Sequence, residues 1–279
     1  MRKVVLAPGV ESSVLGFGCA PILGSVGARE ARRAVDCALD LGVNHFDVAR
    51  CYGYGDAERF VGRLLKGRRG HVVIASKFGI EATPLARALG PVKPLVRLLR
   101  GKSRSKAAQP NNSGKKSGSS GPFLRAVPAT AARMERSLEQ SLRALGTDYL
   151  DLFLLHEPDW SSLPTDEIAR SSEKLKQQGK IRAFGASFYR DGKIPAVAGL
   201  GMFDLLQFDC PRVGMEYNLL REERASVANV IFSPSQSGSA GQDLPDVLAR
   251  LWADFPRSVV LSSMFNEDHI RANVAKAGS

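Results

Sequence analysis

The 279-residue chain predicts an α/β protein built as a closed (β/α)8 TIM barrel. Three observations lead there. Short apolar runs alternate eight times with amphipathic helix patterns, which calls for parallel strands with covering helices. Eight such units in about 250 residues match the size of a closed barrel. Titratable residues, Asp47, Lys77 and His156, stand at the ends of three of the runs, where the active sites of barrels lie. No Gly-x-Gly-x-x-Gly follows the first run, and Gly16-Phe17-Gly18 is not that fingerprint. An open doubly wound sheet is therefore the lesser alternative.

The elements follow in order. Met1–Val14 has Pro8-Gly9 between two extended pieces and reads as an N-terminal hairpin. Leu15–Cys19 is a first, glycine-bearing strand. Ala28–Leu41 has apolar residues at 31, 34, 35, 38, 39 and 41, a helix period that Gly42 stops. Val43–Ala49 is the second strand, followed by a helix over Asp56–Lys66 and a strand over Val72–Phe78. Thr130–Leu145 is a helix with Met134, Leu138, Leu142 and Leu145 inward, and Tyr149–His156 is a strand. Pro164–Gln178 is helical and Ile181–Phe188 extended. Asp191–Leu200 forms a weak helix and Leu205–Cys210 a strand. Leu219–Ala228 is a short helix and Val230–Ser233 a strand. Leu244–Asp254 is a helix, Val259–Ser263 the last strand and Glu267–Ala277 the last helix.

The whole chain, 1–279, reads as one barrel domain interrupted by a flexible basic insertion at 82–127, after the third strand. From Ala82 to Met134 there are eleven Lys or Arg and no Asp or Glu, so the net charge of +11 belongs to this stretch. Leu85–Arg100 is amphipathic but interrupted by Pro91 and Pro94. The low-complexity remainder is expected to be disordered. A tolerated loop expansion, a lid, an attraction for anionic ligands and a contact with an acidic surface all fit it. Phe123 is its only aromatic residue, so nucleic-acid binding is not expected. No apolar run has the length to cross a bilayer, and the start lacks the apolar core of a secretory signal. Four scattered cysteines without a CxxC pair point to free thiols in a reducing cytoplasm rather than disulfides or a metal site. The expected location is cytoplasmic; the sequence leaves the oligomeric state open, with a monomer favoured over an oligomer.

The stretch Val43–Gly55, V-N-H-F-D-V-A-R-C-Y-G-Y-G, carries the chemistry. Asp47 interrupts an apolar strand, which is expensive unless a partner or a task keeps it there. Tyr52 follows where the strand opens into a loop. With Lys77 and His156 ending neighbouring strands, four polar residues converge on one barrel mouth. Tyr54, Phe78, Trp160 and Phe17 stand near strand ends and are candidates for the substrate pocket.

These motifs resemble the aldo-keto reductase family. His45–Gly55 is similar to its F-D-T-A-x-x-Y-G segment, and Val72–Lys77 to the strand that carries its lysine. Arg136–His156 resembles S-L-x-x-L-x-x-D-Y-x-D-L-x-x-x-H, and Lys174–Ser187 resembles G-K-I-R-x-x-G-V-S. The likeness implies NADPH-dependent reduction of aldehyde or ketone carbonyls of small molecules. Asp47, Tyr52, Lys77 and His156 would form the catalytic tetrad, with no metal. Tyr52 would be the general acid, made more acidic by Lys77, which Asp47 anchors; His156 would orient the carbonyl. The resemblance assigns Ser187 and Gln207 to the nicotinamide carboxamide and Phe232 to its ring. It assigns Asn273 to the adenine, and Ser233 with the residues after it to the pyrophosphate. His269 and Ser263 stand where the family commonly has the Arg and Lys that grip the 2′-phosphate, which implies a weaker preference for NADPH over NADH. Phe188 replaces the usual Asn. The segments between 207 and 230 and between 233 and 259 are short, and no long C-terminal loop follows, which implies a more open pocket. The competing reading is a catalytically weak or inactive barrel with a regulatory or redox-sensing, nucleotide-binding role.

Overall fold

The computed structural model describes residues 1–88, 122–189, 200–210, 212–236 and 243–278. Eight parallel strands close into a barrel in chain order. They are β3 Leu15–Gly18, β4 His45–Asp47, β5 Val73–Phe78, β8 Leu150–His156, β9 Ile181–Phe188, β10 Leu205–Asp209, β11 Asn229–Phe232 and β12 Ser258–Ser262. β12 returns to β3 through Val260 opposite Leu15, which closes the ring.

The N-terminal hairpin forms as expected, with β1 Lys3–Ala7 antiparallel to β2 Val10–Ser13. Gly9 supplies the turn at φ 74°. Leu6, Ala7 and Val10 belong to the same buried cluster as the barrel interior, so the hairpin plugs one end of the barrel. Near that end the buried carboxylate of Asp151 pairs with Arg69 at 2.8 Å and Arg182 at 3.0 Å. Both guanidiniums lie over the Tyr149 ring, at 3.7 and 4.5 Å from its centre.

Strand alternation sorts the side chains into two layers. Val73, Ala75, Leu152, Leu154, Ala183, Leu205, Val230, Val259 and Leu261 fill the interior. Phe17, Phe46, Ile74, Phe153, Phe184 and Phe208 point the other way, into the layer of helices. That layer holds α1 Ala28–Asp40, α2 Ala57–Leu64, α4 Ala131–Leu145, α5 Thr165–Gln177, α6 Met215–Arg224, α7 Leu244–Asp254 and α8 Glu267–Gly278. Thr130 caps α4, its side chain accepting from Arg133 N–H, and Gly146 ends it at φ 69°.

Element ends differ from the expected ones by a residue or two in several places, and by more in the following. β4 pairs only over His45–Asp47 instead of 43–49. The chain turns immediately afterwards, with Tyr52 N–H donating to Ala49 O at 3.1 Å. The helix expected at Leu219–Ala228 lies at Met215–Arg224, because Met215 and Leu219 face solvent and only Tyr217 and Leu220 face inward. The insertion is framed by a small antiparallel ribbon, β6 Ile80–Ala82 with β7 Leu124–Ala126. A short helix, α3 Pro84–Ala88, follows β6. Residues 89–121, most of the helix expected over 191–200, and residues 237–242 of the expected pyrophosphate loop lie outside the described residues. Among the described residues no helix is long and apolar enough to cross a membrane.

Candidate active site

The inward face of the barrel becomes polar toward the C-terminal strand ends. Asp47 is the last residue of β4 and Lys77 the second-last of β5. Both continue the inward register of their strands, and both are buried. Lys77 Nζ donates to Asp47 Oδ1 at 2.5 Å and reaches Val48 O at 3.3 Å. From the opposite wall, Gln207 Nε2 on β10 donates to Asp47 Oδ2 at 2.9 Å. Each carboxylate oxygen thus has its own donor. This is the condition under which a buried ion pair is tolerated, and removing one partner of such a pair costs about 3–5 kcal/mol.

Tyr52 opens a tight turn, Tyr52–Gly55, in which Gly53 and Tyr54 both take left-handed angles, φ 57° and φ 59°. A side chain at Gly53 would stand 2.8 Å from Ile22 O, so glycine is required there. The loop leading to Tyr52 is pinned from outside. Arg50 donates to Glu58 at 2.7 Å and to Gln140 at 2.9 Å, and Ser76 donates to Glu58 at 2.7 Å. These bonds place the Tyr52 ring 5.2 Å from Lys77 Nζ and, edge to face, 6.0 Å from the His156 ring.

His156 ends β8, and its ladder partner is Ser187 on β9, itself opposite Gln207 on β10. One lateral row therefore carries His156, Ser187 and Gln207. Burial, helped by the Lys77 charge, lowers His156 to about 3, so its imidazole is neutral across the physiological range. Tyr52 moves the other way. Burial and then the Asp47 carboxylate hold its phenol well above the ordinary value. The Lys77 ammonium, expected to acidify Tyr52, is engaged by Asp47, and burial sets the direction of the Tyr52 shift.

The remaining candidates divide between the two faces. Phe232 ends β11 at the mouth and Ser233 follows at φ 54°. Tyr189 stands edge-on to Phe232 at 5.0 Å and adds to the raised proton affinity of Tyr52; the sequence reading missed it. Its signal was available, because alternation from inward Ser187 puts Phe188 outside and turns Tyr189, just past the strand end and half exposed, toward the mouth. Tyr54 meets Phe123, from the returning arm of the insertion, at 5.9 Å. Phe78 is not a pocket residue: it is buried in the outer layer, stacked on Phe153 at 5.1 Å. Phe17 is likewise buried outside, against Phe46 and Phe265. Trp160 packs against Phe188 and Phe203, also on the outer side. His269 is exposed on the first turn of α8, whereas Asn273 is buried on its inner face.

Two of these buried groups have an atom without a hydrogen-bond partner among the described residues, Gln207 Oε1 and Asn273 Nδ2. A bare amide atom of this kind is costly unless a ligand completes it. Among the described residues no cluster of three His, Cys, Asp or Glu is placed to hold a metal ion.

Residues 14–228 match the family model described as the aldo/keto reductase family. The chain is 30% identical over 185 residues to the aldo-keto reductase YhdN of Bacillus subtilis, covering 64% of this chain and 44% of that one. It spans about half the length of the curated relatives it matches. Its fold is similar to the holo form of aldo-keto reductase AKR11C1 from Bacillus halodurans, with a TM-score of 0.68, 25% identity, and 100% and 91% of the two chains covered. It is also similar to an aldo/keto reductase from Klebsiella pneumoniae solved with NADP and acetate. There the TM-score is 0.64, the identity 24% and the coverage 100% and 91%.

Proposed function

Because the chain belongs to the aldo/keto reductase family, a family of oxidoreductases, we propose that it reduces the carbonyl of small aldehydes or ketones to the alcohol with NADPH, NADH being the alternative. The observation that carries this reading is the buried Asp47–Lys77 pair set beside Tyr52 and His156 at the C-terminal mouth of the barrel.

The residues around the mouth fit a nicotinamide dinucleotide. Gln207 Oε1 offers an acceptor to a carboxamide N–H, with Ser187 beside it in the same row. Phe232 offers an aromatic face, and Asn273 Nδ2 a donor to a ring nitrogen. When bound there, the reduced nicotinamide supplies hydride to the carbonyl carbon. The chain's own residues handle the oxygen. His156, neutral, hydrogen-bonds the carbonyl oxygen and fixes its position. Tyr52 arrives protonated, because its proton affinity is raised. It releases that proton once the oxygen becomes an alkoxide, which is more basic than a phenolate. Lys77, held by Asp47, places positive charge 5.2 Å from the ring on which negative charge then develops. General acid catalysis of this kind contributes about 10²–10⁴-fold.

The test is a fluorescence titration with NADPH and NADH, followed by a panel of small aldehydes and ketones. Saturable binding and aldehyde-dependent consumption of the reduced dinucleotide are expected. Folded protein that shows neither overturns the reading and favours a non-catalytic barrel.

A further inference from the structure

The four polar residues at the mouth leave one question of chemistry open. A neutral imidazole carries one proton on either of two nitrogens, and a carbonyl oxygen can only accept a hydrogen bond. His156 is useful to a carbonyl only if the nitrogen it presents holds the proton. Something must select that tautomer.

A group placed to do so is Cys51, immediately before Tyr52. Its side chain is buried, and Sγ lies 3.8 Å from His156 Nδ1, within the reach of a sulfur hydrogen bond. We propose that Cys51 is a positioning residue: its S–H donates to His156 Nδ1, which keeps the imidazole proton on Nε2 and makes that nitrogen the donor to the substrate oxygen. The role in reduction rests on the function proposed above; the tautomer does not.

Three physical arguments support the direction of this bond. The thiol keeps its hydrogen, since burial pushes Cys51 up to about 12. Thiol sulfur is a weak acceptor, whereas an imidazole lone pair is a strong one, so S–H to nitrogen is the better of the two arrangements. Protonation of both nitrogens is opposed by burial and by the nearby Lys77 charge, which hold His156 at about 3. The geometry is also held rigidly. Arg50 is tied to Glu58 and Gln140 on one side of Cys51, and the left-handed turn at Gly53 and Tyr54 fixes the other.

The direct readout is long-range ¹H–¹⁵N correlation of the histidine side chains in the ligand-free protein. The chain has four histidines, and a His156→Gln variant assigns the relevant signals. Nδ1 of His156 is expected at the shift of an unprotonated nitrogen and Nε2 at that of a protonated one, unchanged from pH 5 to pH 8. Cys51→Ser, which keeps a donor, preserves this pattern. Cys51→Val, similar in size without a donor, moves both nitrogens toward averaged shifts, as does Cys51→Ala. In turnover, kcat falls about tenfold in Cys51→Val, a fraction of the 10²–10³-fold typical of losing such a donor, and Cys51→Ser restores it. A parent spectrum with the proton on Nδ1, or Cys51→Val and Cys51→Ala spectra identical to the parent, overturns the proposal. Because the spectra need no turnover, an inactive protein would sink the proposed reduction and leave this inference to be judged by its own data.

Discussion

Asp47 shows how much one buried carboxylate demands of its surroundings. Lys77 answers one oxygen, and Gln207, from the opposite wall, answers the other. Gln207→Leu strands Asp47 Oδ2 in a buried site and should cost about 1–3 kcal/mol. It should also weaken nicotinamide binding, because Oε1 goes with it; denaturant unfolding and a binding titration measure the two effects separately. The sequence made Asp47, Lys77 and His156 legible, since a charge that ends an apolar run is conspicuous. It also carried the sidedness of the aromatics, through counting in twos: Lys77 inward means Phe78 outward, and Ser187 inward turns Tyr189 toward the mouth, against Phe232. The bond between Gln207 and Asp47 was not legible, because 160 residues separate them and only closure of the barrel brings them together. The raised proton affinity of Tyr52 was hidden for a similar reason, since desolvation depends on everything packed around the ring.

At the scale of elements, the regular helices were readable from their periods. Ala28–Asp40 and Ala131–Leu145 bury the stripes their sequences show. Where the period failed, so did the expectation. Residues Met215–Arg224 expose two of their apolar side chains, so the pattern suggested a later start. The strand at His45–Asp47 is shorter than its apolar run because the chain must leave the sheet to place Tyr52 above the mouth. Close approach of α2 to α4 was likewise beyond a one-dimensional reading. A Cβ at Gly62 would stand 2.2 Å from Leu145 O, a backbone atom that cannot swing aside. Gly62→Ala should therefore lower stability by about 1–3 kcal/mol through overpacking, despite the better helix propensity of alanine. Chemical denaturation of the two proteins measures the loss.

At the scale of the whole molecule, the closed barrel puts titratable groups into an interior that water does not reach. His45 is fully buried, bonded through Nδ1 to Ser12 at 2.9 Å, and burial lowers it to about 4 from 6.5. The folded state keeps it neutral while the unfolded chain protonates it. Its contribution is therefore complete above pH 6.5 and is lost as the pH falls toward 4. Between pH 6.5 and pH 5 this should remove about 1.5 kcal/mol of stability. His45→Gln should flatten that part of the stability profile, as unfolding at a series of pH values would reveal. The C-terminal mouth of the same barrel is more open, with Tyr52 and His156 only half-buried, and there proton donation falls to one phenol. The most direct measurement compares carbonyl reduction by the parent and by Tyr52→Phe at saturating NADPH. Turnover is expected to fall at least about 10²-fold while NADPH binding stays within about twofold, because loss of the one hydroxyl leaves Ser187, Gln207, Phe232 and Asn273 in place. Turnover in Tyr52→Phe equal to that of the parent would contradict this role of Tyr52.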